Sequence, residues 1–100
     1  FIVVNNGMYG TIRMHQEREY PSRVSGTQLV NPDFAALAKA YGATGEVVTE
    51  TAQFAAAFAR AKAADSPALI ELRTDPEAIT PTATLSGLRA QAEAREKGNP

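Results

Sequence analysis

One hundred residues carrying ten Lys or Arg against eleven Asp or Glu give a net charge of -1, and no basic block marks a nucleic-acid or membrane partner. With 44% hydrophobic residues the chain has the composition of a globular domain and the length for one core. Cysteine is absent, which removes disulfides, zinc clusters and thiol nucleophiles and fits a reducing compartment such as the cytoplasm.

No run of residues has the length of a membrane span, and no signal peptide is visible. The chain opens on Phe1-Ile2-Val3-Val4, an apolar run without alternation that suits a strand covered on both faces. A start inside a strand leads us to expect an excised C-terminal fragment of a larger protein. Asn5-Asn6-Gly7 stops the strand, and a helix is predicted from Met8 or Tyr9 until Pro21 ends it. Residues 20–30 hold Pro, Gly and Ser without periodicity and read as an exposed loop.

Asn31-Pro32-Asp33 reads as a helix start, with Asn31 as N-cap and Pro32 at the first helical position. Phe34, Leu37, Ala38 and Tyr41 follow as an apolar stripe that ends at Gly42. A short strand is expected over 45–49. Next comes a helix capped by Thr49 or Thr51, with Phe54, Ala57, Phe58 and Ala61 on one face. Phe34, Phe54 and Phe58 are core by this spacing. A third strand spans 68–72, residues 75–83 are extended or looped, and a last helix is predicted over 84–97 with a charged far end that frays or packs on something outside this chain. The order β-α-α-β-α-β followed by a helix predicts an α/β fold: a three-layer parallel sheet with helices on both faces.

In open parallel sheets ligands bind at the carboxyl ends of strands, where "NNGMYG" lies. A helix starting there aims N–H groups and partial positive charge at an anion, phosphate above all. Asparagine offers a neutral oxygen to a hard cation, and Gly7 and Gly10 let backbone approach a ligand closely. Asn-Gly is also the commonest turn dipeptide, so a purely structural turn explains the same residues.

The stretch "VVNNGMYGTIR" resembles the closing half of the thiamine diphosphate motif of acetolactate synthases, benzoylformate decarboxylases and related 2-oxo acid enzymes. "QLVNPDFAALAKAYGATG" and "PALIELRTDPEAITP" resemble segments that follow the motif in that family, so the likeness runs over most of the chain. The resemblance implies an incomplete half of a thiamine diphosphate-binding domain, with a sheet-and-helix portion over 1–83 and a closing helix and tail over 84–100. It implies that Asn6 gives a side-chain oxygen and Met8 a main-chain oxygen to Mg²⁺, that Gly7 and Tyr9 shape the turn beside the diphosphate, and that Asn5 supports the turn. It further implies a 2-oxo acid substrate, decarboxylation and carboligation by the parent enzyme, and a homodimer or tetramer. FAD in the parent is compatible with the resemblance but has no signal here. The Gly-Asp-Gly half of the motif and the cofactor-activating glutamate do not occur in this chain, so the fragment alone is expected to be inactive and to carry no catalytic residue.

The reading from another class is a non-catalytic α/β binding module in which NNG is only a turn. Among the remaining residues, His15 reads as surface or interface, and Glu17, Arg18 and Glu19 as surface charges, with Arg13 and Glu17 an i,i+4 pair. Glu71 is expected to be half-exposed or paired with Arg73 or a neighbour. Ser22, Ser25 and Ser66 show no nucleophile pattern.

Overall fold

A computed structural model describes residues 1–99. The elements run β1 (Ile2–Asn5), α1 (Gly10–Glu19), α2 (Phe34–Ala40), β2 (Thr44–Val48), α3 (Thr51–Ala63), β3 (Ala68–Arg73) and α4 (Leu85–Gly98), the order expected from the sequence. They form two compact units, one of Phe1–Asn5 with Val30–Thr74, the other of Asn6–Leu29 with the described residues from Asp75 onward.

The first unit is an open parallel sheet of three strands in the order β1-β3-β2. Side chains alternate across a strand, so Gly45 and Val47 of β2 lie on one face and Glu46 and Val48 on the other. Val48 joins Ile70, Ala57 of α3, Phe54, Ala61 and Leu72 in the core on that second face. Gly45, on the first face, meets the backbone of Ala35 in α2. The two helices therefore cover opposite faces, which gives the three layers expected of an α/β fold. Full burial of a side chain such as Ile70 stabilises by about 2 kcal/mol, so this small cluster carries much of the unit.

Several local expectations give way to tertiary context. Asp33, not Asn31, caps α2 by accepting the Ala36 N–H at 3.0 Å. Asn31 instead sends its amide to Asn5. The Phe34-Leu37-Tyr41 stripe is offset: α2 buries Ala35 and Ala38, while Tyr41 stays 84% exposed. Small side chains face the sheet because α2 approaches β2 too closely for large ones. Gly42, with φ of +77°, ends the helix as expected. Glu50 rather than either threonine caps α3, in a reciprocal box with Gln53. Phe58 stacks on Phe54 at 5.6 Å, but at 43% exposure it edges the core instead of filling it. On β1, Ile2 and Val4 are exposed, so the strand is not covered on both faces here.

Glu71, on central strand β3, is 2% exposed rather than half-exposed. Its Oε1 accepts from Asn5 Nδ2 at 2.7 Å and, more weakly, from Arg73 Nε at 3.4 Å. Asn5 Oδ1 in turn accepts from Asn31 Nδ2 at 2.8 Å. A polar ladder of three side chains therefore crosses the carboxyl end of β1 and β3. Among the described residues nothing hydrogen-bonds Glu71 Oε2.

In the second unit, α1 lies against α4. Thr84 caps α4 by accepting the Gly87 N–H at 3.1 Å, and the helix runs through Gly98. Leu85 and Ala92 are its buried apolar residues. No helix among the described residues is long and apolar enough to cross a membrane.

A Cβ at Gly45 would drive into the backbone of Ala35, which no side-chain rotation relieves. Gly45→Ala should lower the urea midpoint by the equivalent of roughly 2–3 kcal/mol. An unchanged midpoint would show that α2 does not hold this close approach in solution.

Candidate functional site

The segment between β1 and α1 is a turn built from three local devices. Gly7 adopts φ of +72°, a conformation that costs other residues energy. Asn6 Oδ1 accepts the Met8 N–H at 3.2 Å. Met8 forms an isolated antiparallel bridge with Gln28, flanked by Leu29 N–H to Gly7 O and Tyr9 N–H to Thr27 O, both at 2.9 Å. Met8 is thereby buried, while Tyr9 at its side is 53% exposed.

Helix α1 starts at Gly10, two residues later than its earliest sequence estimate. Its N-cap residue is Tyr9, which has no side-chain acceptor to offer, and the first intrahelical bond is Arg13 N–H to Tyr9 O. Among the described residues no acceptor meets the N–H groups of Gly10, Thr11 and Ile12, and no donor meets the Met8 carbonyl oxygen. Gly10 has a further use: a Cβ there would lie 2.7 Å from Asn6 Nδ2. The absence of that atom lets the Asn6 amide fold over the helix start with its oxygen toward Met8.

These groups suit a hard cation with a phosphate. Asn6 Oδ1 keeps a lone pair beyond the one given to Met8, the Met8 carbonyl is a second neutral oxygen, and the helix start presents N–H groups to an anion. No cluster of three or more His, Cys, Asp or Glu able to hold a metal occurs among the described residues.

Residues 1–72 match the family model described as the thiamine pyrophosphate enzyme C-terminal TPP binding domain. The chain belongs to the thiamine pyrophosphate enzyme family. It is similar to the acetolactate synthase large subunit of Parasynechococcus marenigrum, with 33% identity over 73 residues, 71% of this chain and 12% of the relative. It is also similar to the mitochondrial acetolactate synthase catalytic subunit of Aspergillus candidus, with 34% identity over 74 residues, 74% of this chain and 11% of the relative. The chain thus spans about an eighth or less of the length of these relatives.

Asn6, Gly7, Met8 and Tyr9 form one continuous turn within the range matched to the thiamine pyrophosphate enzymes. His15 is exposed on α1. Sequence reasoning misplaced Glu17. It is 1% exposed and accepts five hydrogen bonds: two from Arg13 at 3.0 and 2.8 Å, two from Arg89 at 2.8 and 2.7 Å, and one from the Ser22 N–H at 2.9 Å. The i,i+4 partner Arg13 was legible, but Arg89 lies 72 positions away and no local pattern announces it. Arg95 adds a bond to the Arg18 carbonyl at 2.8 Å, so α4 is held to α1 largely by polar contacts.

The Arg89 guanidinium, followed by the Ser22 amide and Arg13, holds the Glu17 carboxyl down to about 2 against the opposing effect of burial. Since the folded value lies below the unfolded 4.5, the stabilisation is complete above that pH and is lost as pH falls toward 2. Glu17→Gln should destabilise by roughly 3 kcal/mol at neutral pH, because two arginines lose their charge partner. The same variant should flatten the acid limb of a stability-against-pH curve between 4.5 and about 2. A variant curve parallel to the native one throughout that window would remove Glu17 as the acid-labile group.

Proposed function

We propose that this chain is the C-terminal part of the diphosphate-binding domain of a Mg²⁺-dependent 2-oxo acid enzyme similar to acetolactate synthase, and that it contributes half of the metal-diphosphate clamp. In this reading residues 1–83 are the sheet-and-helix portion and 84–100 the closing helix and tail. The observation that carries it is the pairing of an uncapped α1 start with two neutral oxygens, from Asn6 and Met8, in a turn that closes on itself. Asn6 Oδ1 and the Met8 carbonyl would hold Mg²⁺. The N–H groups of Gly10, Thr11 and Ile12 would bind diphosphate oxygens, with Gly7 and Tyr9 shaping the approach. Thiamine diphosphate, when bound, supplies the electron sink for decarboxylation of a 2-oxo acid, and the protein supplies orientation and electrostatics.

The rest of the proposal concerns the parent protein. Its substrate is a small 2-oxo acid, decarboxylated and passed to an acceptor or a proton. It works as a homodimer or tetramer in the cytoplasm, with no nucleic acid or membrane partner. The acidic metal ligand and the cofactor-activating glutamate come from parts of the parent outside this chain. FAD is left to those parts as well.

The rival binding module draws on one observation, that Asn6 Oδ1 already closes a turn on Met8. Calorimetry on the full-length protein separates the two. Asn6→Ala should weaken thiamine diphosphate binding in Mg²⁺ by at least about tenfold, or 1.4 kcal/mol, with little change in EDTA. Gly10→Ala should do the same while leaving the fold intact, because its Cβ meets only side-chain ends, Asn6 Nδ2 at 2.7 Å and Ile79 Cδ1 at 3.3 Å. Variants that lose thermal stability but keep native cofactor affinity would favour the rival.

A further inference from the structure

The loop after α1 is fastened to that helix at both ends and to the clamp turn at its far end. Glu17 Oε2 accepts the Ser22 N–H at its near end. One residue earlier on α1, Gln16 Nε2 donates to the Ser25 carbonyl at 2.6 Å, and Gln16 Oε1 accepts from Thr27 Oγ1 at 3.0 Å. Thr27 is 2% exposed, far more buried than a loop threonine without an assigned task. Its carbonyl accepts the Tyr9 N–H at 2.9 Å, and two residues on, Leu29 N–H donates to Gly7 O at 2.9 Å. Thr27 is thus bonded to α1 through its hydroxyl and to the clamp turn through its backbone.

We infer that Thr27, with Gln16 as its partner, is a positioning residue for the Asn6 and Met8 oxygens. The hydroxyl bond fixes the 25–29 segment on α1, and that segment fixes the backbone on both sides of Met8. Neither residue touches metal or cofactor in this scheme; both act through the antiparallel bridge. The inference rests on the Mg²⁺ reading above.

Substitutions of nearly equal shape test it in the full-length protein. The readout is the ratio of thiamine diphosphate affinities in Mg²⁺ and in EDTA, which a loss of global stability does not move while the protein stays folded. Thr27→Val keeps the volume and removes the hydroxyl; it should reduce that ratio roughly fivefold, the worth of one neutral buried hydrogen bond. Thr27→Ser keeps the hydroxyl and should restore most of the ratio. In cofactor-free protein, amide exchange at Tyr9 should speed up in the valine variant and not in the serine one. On an Asn6→Ala background, Thr27→Val should have a smaller effect on the ratio, because only the Met8 oxygen is left to position. If the valine protein does not fold, Gln16→Met breaks the same bond from its half-buried partner. A native ratio in Thr27→Val, with Asn6→Ala still impaired, overturns the positioning role and leaves the metal reading standing. A native ratio in Asn6→Ala removes both.

Discussion

Among the described residues nothing accepts the first N–H groups of α1, and that constraint sets the turn leading into the helix apart from the other helix starts. Backbone N–H groups shut away from any acceptor cost energy, and helices ordinarily answer with a Ser, Thr, Asp or Asn cap. At α1 the cap position is Tyr9, and the nearest polar side chain, Asn6, spends its oxygen on Met8 instead. The cost is held down by exposure to solvent and offset by the bridge that locks Met8 to Gln28. α2, α3 and α4 all begin with side-chain caps or a capping box, which makes the bare start of α1 a local exception rather than a habit of this chain. Exceptions to local consistency concentrate where ligands bind.

The two units are stabilised by different physics. The sheet unit follows the ordinary logic of apolar burial, with Val48, Ala57 and Ile70 at its centre and Gly45 permitting a close helix-sheet approach. The other unit buries few large apolar groups and is organised round one carboxylate. Bringing Glu17 out of water costs several kcal/mol, and five donors are what it takes to recover that cost. Such a hub gains little net stability over an apolar contact, but it is directional. The bidentate Arg89 contact fixes α4 against α1 in a way that Leu85 and Ala92 alone would leave loose.

The legible part of the fold is the part carried by periodicity. Element order, the parallel sheet and the helix stop at Gly42 follow from runs, stripes and glycine placement. What escaped were choices decided by partners distant in sequence. Asn31 loses its expected cap because Asn5 competes for it, and α2 rotates Ala35 and Ala38 inward because β2 is too near for Leu37 or Tyr41. Glu17 sits among Gln, Arg and Glu in a segment that reads as solvated, and its burial is tolerable because the distant Arg89 and Ser22 add to the local Arg13. The turn residues Asn6 to Tyr9 were found by resemblance to a motif; their chemistry is legible in residue types, but Thr27 and Gln16, which hold them, carry no such mark. A threonine in a Ser- and Gly-rich loop looks like any other until its neighbours are known.

The neutrality of the Asn6 and Met8 oxygens sets a further condition on the proposed clamp. Two uncharged ligands do little to compensate the dehydration of Mg²⁺, which gives up water reluctantly and is commonly held by carboxylates together with substrate phosphates. In the proposed clamp the turn would therefore select geometry rather than supply affinity. The negative charge would come with the diphosphate, so cation and cofactor would each raise the affinity for the other by the same factor. A preformed, nearly neutral turn suits that arrangement. It avoids the repulsion an acidic cluster would present to a pyrophosphoryl group, while the N–H groups at the start of α1 remain open to its oxygens.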